Sequence, residues 1–102
     1  MTDVRQDAIL EGAGLDEAFQ VGLRVLQGAG FELWKTRPLG WFAIARRRQD
    51  QTVLEANLAV RGGGPIQVSL GLSADNFPEA ELTGIAAELL QTISAQVGRG
   101  AR

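Results

Sequence analysis

The chain has no histidine, no cysteine and no tyrosine, and its 102 residues include one lysine, Lys35. Without histidine it lacks the usual general base at neutral pH, the commonest metal ligand and any serine–histidine nucleophile pair. Without cysteine it has no disulfides, no thiolate chemistry and no sulfur-bound zinc, so stability has to come from packing. A phosphate-binding loop of the Walker type places a lysine after a glycine run, whereas Lys35 follows Trp34. No stretch approaches the roughly 18 consecutive apolar residues of a membrane-spanning helix.

What remains for acid–base work is twelve carboxylates, the lysine and nine arginines. No spacing brings two carboxylates together in an apolar setting that would hold one of them protonated. Glu79, Glu81 and Glu88 fall beside, not within, an apolar helical stripe. The expectation is a protein that is not an enzyme, with no cofactor and no metal. The excess of arginine over lysine reads as the product of a GC-rich bacterial genome. A net charge of −2 is the opposite of the balance of a dedicated nucleic-acid binder. Residues 1–7 carry no basic cluster leading into an apolar segment, so a cytoplasmic location is expected.

The length suits one domain, and the chain divides into a flexible leader over 1–13, a folded unit over 14–98 and a short tail over 99–102. Leu15, Phe19, Leu23 and Leu26 recur at helical spacing, with Asp16 and Glu17 favouring the helix start and Gly28 and Gly30 its end. Strands are predicted over 31–35 and 41–47, separated by the turn-forming Arg37-Pro38-Leu39-Gly40. A third, over 52–61, alternates Leu54, Ala56, Leu58 and Val60 with more polar residues. A fourth, over 66–73, follows the turn Gly62-Gly63-Gly64-Pro65 and should form a hairpin with the third. The last helix carries Leu82, Ile85, Ala86, Leu89, Leu90, Ile93 and Val97 on one stripe, with Asn76 as its cap and Gly98 as its stop.

Short connections demand antiparallel neighbours. The expected fold is therefore α+β, a two-layer sandwich in the order α-β-β-β-β-α, with a four-stranded antiparallel meander and both helices on one face. Gly12-Ala13-Gly14, Gly28-Ala29-Gly30 and Gly62-Gly63-Gly64 do not meet the strand–glycine–helix context of a dinucleotide fingerprint, and turn or cap duties explain them.

The sheet face turned away from the helices is the candidate surface. With Phe31, Leu33, Phe42 and Ile44 facing inward, alternation places Trp34, Trp41, Ala43, Ala45, Asn57 and Ala59 outside. Tryptophans over a floor of small side chains suit close approach by another chain, which points to a protein partner or to a homodimer formed through this face. This favours an adaptor or small chaperone-like binding module. Two alternatives accompany it. Arg46-Arg47-Arg48 with Trp34 and Trp41 would make a stacking platform for single-stranded nucleic acid, the bland reading being that the arginines only end a strand. A pocket between the helices and the sheet, with a tryptophan at its mouth, would take a small ligand. The segment 41–45 is apolar on both sides, so a register error of one residue would exchange the two faces.

Overall fold

The computed structural model describes residues 1–49, 51–62 and 64–100, with side chains described as far as Val97. Five strands and two helices follow in the order β1 (Thr2–Leu10), α1 (Leu15–Gly28), β2 (Glu32–Arg37), β3 (Phe42–Gln49), β4 (Thr52–Arg61), β5 (Ile66–Ala74) and α2 (Glu79–Gly100). A single 3-10 turn, Pro38–Gly40, lies between β2 and β3. The strands form one antiparallel sheet in the order β1-β5-β4-β3-β2. The fold is α+β, and β2 to β5 are the expected meander.

The sheet has one strand more than expected. Thr2–Leu10, read from sequence as a leader, pairs with β5 along its whole length. Its inward positions are Thr2, Val4, Gln6, Ala8 and Leu10, opposite Ala74, Leu72, Leu70, Val68 and Ile66. A glutamine in the middle of that series, and few large apolar groups, leave too weak an alternation to mark a strand. α1 then carries the chain from one edge of the sheet to the other.

Both helices cover the same face. Ala18, Phe19, Val21, Gly22, Val25 and Leu26 of α1 are buried. Leu82, Ala86, Leu89, Leu90, Ile93 and Val97 do the same for α2. Leu54, Leu58, Leu70 and Leu72 meet them from the sheet. Full burial of one such side chain stabilises by roughly 1.5–3 kcal/mol. α1 packs tightly on the sheet at Gly22, since a Cβ there would lie 2.6 Å from Leu58 Cδ2. α1 ends at Gly28, and Gly30 supplies the left-handed conformation that turns the chain into β2. Asn76 does not cap α2. It precedes the helix with φ 54° and turns the chain, a conformation asparagine tolerates well. The helix also continues past Gly98 to Gly100, so the expected tail begins inside it.

The two faces of β3 are exchanged relative to the sequence reading. Ala43 and Ala45 are fully buried, opposite Leu58 and Ala56 on the helix side. Phe42 and Ile44 lie half-buried on the outer side, opposite Ala59 and Asn57. Small residues belong inside here because α1 already crowds this part of the sheet, and alanine admits a close helix where phenylalanine or isoleucine would not.

A candidate contact surface on the open sheet face

Trp34 sits at an irregularity of β2. Leu33 pairs with Ala45 and Lys35 with Ile44, leaving Trp34 as the extra residue of a bulge. Alternation from inward Leu33 turns Trp34 to the outer face, where it is 56% exposed, and the bulge re-aims Lys35 to the same side. The Arg46 guanidinium stacks 3.9 Å from the centre of its ring, and Lys35 Nζ lies 5.8 Å away. Arg46 also donates from Nε and Nη2 to Glu55 Oε1, each at 3.3 Å. It is thus fixed between an aromatic plane and a carboxylate.

Alternation from Arg46 puts Arg48 on the same side, and pairing places Lys35 beside Ile44 and Arg37 beside Phe42. Half-buried Phe42, Ile44, Asn57, Ala59 and Gly71 form the middle of the face. The β2–β3 half therefore joins an apolar centre to four cations, against the carboxylates of Glu32 and Glu55. At the far edge Asp7 accepts hydrogen bonds from the Ser69 hydroxyl and from Arg5 Nε, the latter at 3.2 Å. The Ser69 bond, then Arg5, holds the Asp7 carboxyl below the usual carboxylate range.

Of the residues expected on this face, Trp34, Asn57 and Ala59 are there. Ala43 and Ala45 are in the core. Trp41 is half-buried against the core, with a left-handed backbone (φ 47°) that ends the 3-10 turn. One tryptophan therefore marks the outer face and the other the core. The basic run also splits. Arg47 points to the helix side, with its guanidinium 4.9 Å over the Phe31 ring and Nη1 donating to the Ala29 carbonyl at 2.9 Å. That places a cation at the C-terminal end of α1, where the helix dipole favours it. Phe42, Ile44, Lys35 and Arg37 belong to the surface but escaped the sequence reading, because neither the bulge at Trp34 nor the turn at Trp41 has a sequence signature that sets strand parity.

A cleft lies elsewhere, between α1 and α2. It measures about 460 Å³ and is lined by Arg24, Ala29, Arg47, Ile85, Glu88 and Thr92 among others, with neither tryptophan at its mouth. Among the described residues no buried side-chain polar atom lacks a partner. No group of three acidic, histidine or cysteine side chains there is placed to hold a metal ion. Among the described residues no helix is long and apolar enough to cross a membrane. In comparisons with known proteins, no family model matches the chain and no curated protein matches it significantly.

Proposed function

We infer that the protein is a non-catalytic interaction module, a cytoplasmic adaptor or small chaperone-like protein, that holds a protein partner on its open sheet face. The observation that carries this reading is the Trp34–Arg46 stack beside half-buried Phe42 and Ile44, on a face that neither helix covers. Tryptophan and arginine are the side chains most enriched at interface hot spots, and a rigid sheet holds them without further ordering cost. With Lys35, Arg37 and Arg48 around the apolar centre, the chemistry that fits is an acidic segment with one or two large apolar side chains. Laying this half on the same half of a second copy would bring like charges together, which favours a partner over self-association through this face.

The test is selection of peptides from a random library against the whole protein, followed by titration of the selected peptides with the intrinsic tryptophan signal and calorimetry. Acidic sequences with apolar anchors are expected, and Trp34→Ala or Ile44→Asp should weaken them by about tenfold or more. Peptides that bind the variants as well as the parent would refute the surface.

The Trp34–Arg46 stack also favours a second reading, a platform for single-stranded nucleic acid made by Trp34, Arg46, Arg48 and Arg37 in place of the three consecutive arginines. It requires oligonucleotide binding at about 50 mM salt that falls steeply as salt rises.

A further inference from the structure

The two edges of the sheet are built differently. β2 is six residues long, carries a bulge at Trp34 and the outward Lys35, and runs into Pro38. These are the devices that keep a sheet edge from pairing with another chain. β1 has neither the bulge nor the proline, and its outward charges alternate in sign instead of repelling in one sense. It is nine residues long, has no proline or lysine, and holds an unbroken register with β5, its one strand neighbour among the described residues. About half its backbone donors and acceptors therefore face outward along a ladder of roughly 30 Å.

The outward side chains of β1 alternate in sign: Asp3, Arg5 and Asp7, followed by Ile9, which is 68% exposed. A two-fold axis normal to the sheet can pair β1 with β1 of a second copy only in registers that keep residues of like parity opposite. The register centred on Gln6 pairs all nine residues and sets Arg5 against Asp7 of the second copy twice over. It also lays exposed Ile9 opposite Asp3, diagonal to the aliphatic stem of the other Arg5. Centring on Arg5 instead would oppose Asp3 to Asp7 and Arg5 to itself. Above this edge α2 offers Ala87, Gln91 and Ser94 beside Gln6 and Ala8, an uncharged flank at the centre of the proposed seam.

We propose that the protein is a homodimer joined by antiparallel β1–β1 pairing centred on Gln6, forming a continuous sheet of ten strands, five from each copy. This surface is separate from the Trp34 face. The dimer leaves that face open on both copies, so the inference goes beyond the function proposed above and fails independently of it.

Charge exchange between two variants tests it. Arg5→Asp opposes two carboxylates twice across the seam, and Asp7→Arg opposes two guanidiniums. Each should weaken the dimer by about 30-fold, as two attractive pairs become two repulsive ones. Mixing the two variants restores both pairs, because position 5 of each chain then faces the opposite charge at position 7 of the other. The intrachain contact between these positions stays broken in the mixture, so recovery reports the seam alone. Sedimentation should show a dimeric parent, two weakened variants and a heterodimer in the mixture. Should either variant fail to fold, Gln6→Cys decides the matter in a chain without other cysteines. It should oxidise rapidly to a disulfide-linked dimer, whereas Leu39→Cys, at the other end of the sheet, should not. A parent that is monomeric at millimolar concentration, variants that dimerise as the parent does, or a folded mixture that stays monomeric would each overturn the proposal. Trp34→Ala should leave the dimer intact, and Gln6→Cys kept reduced, on the helix side of the sheet, should leave acidic-peptide binding intact.

Discussion

Aspartate placed in turn at positions 42, 43, 44 and 45 reports which face of β3 is buried, and hence which residues the contact surface contains. Ala43 and Ala45 have no exposed area. A carboxylate at either site must stay charged without a partner or take up a proton, and it must fit where only a methyl group did. The cost is about 4 kcal/mol or more. Phe42 and Ile44 are half-buried on the open face. Losing half the burial of a large side chain costs about 1–1.5 kcal/mol, and the poor strand preference of aspartate adds up to about 1 kcal/mol. A domain of this size is stable by roughly 5–15 kcal/mol, so the outer variants stay folded while the inner ones approach or cross the unfolding threshold. With a urea slope of roughly 1.5 kcal/mol/M, Ile44→Asp should lower the midpoint by about 1.3 M and Ala45→Asp by more than about 2.5 M. Circular dichroism during urea titration reads both. A larger loss at 42 and 44 than at 43 and 45 would refute the face assignment and remove Phe42 and Ile44 from the surface.

Gly22→Ala and Gly84→Ala should move the thermal midpoint in opposite directions. The first gains about 1 kcal/mol of helix preference but drives a Cβ into fully buried Leu58 at a cost of about 2 kcal/mol, whereas the second meets nothing within 4 Å and keeps the whole gain. Trp34→Phe should shift the emission spectrum to the blue and Trp41→Phe should shift it to the red, since Trp34 stands in solvent and Trp41 lies against the core; iodide quenching of the two variants checks the assignment. Asp7 titrates below its ordinary range when folded, so its contribution to stability is present at neutral pH and is lost as the pH falls below about 4 and through the folded value. Asp7→Asn should therefore flatten the acid limb of the stability profile and leave the slope above pH 5 unchanged, as read from urea midpoints across pH.

Much of the fold was legible where one face of an element is apolar and the other polar. Leu54 to Val60 and Ile66 to Leu72 alternate without interruption, and the stripe from Leu82 to Val97 is wide, so β4, β5 and α2 follow from periodicity. β1 was not legible because Gln6 takes a core-side position and no large apolar residue stands between Val4 and Ile9. The site was half legible. Trp34, Asn57 and Ala59 lie on the outer face as alternation required, but 41–45 is apolar on both sides and its parity is set by tertiary features. The left-handed turn at Trp41 and the crowding of α1 at Gly22 decide that alanines go inward. Arg47 shows the same limit: neighbours in sequence, it and Arg46 point to opposite sides of the sheet, one to a helix end and the other to a tryptophan ring.

The most direct test of the contact surface is a map of amide chemical-shift changes on the whole protein as a selected acidic peptide is added. Changes concentrated at residues 34, 35, 37, 42, 44, 46 and 59 are the result expected if the open sheet face holds the partner. Changes confined to the cleft around Arg24, Arg47 and Glu88, with the sheet face silent, would contradict it and point to the groove between the helices instead.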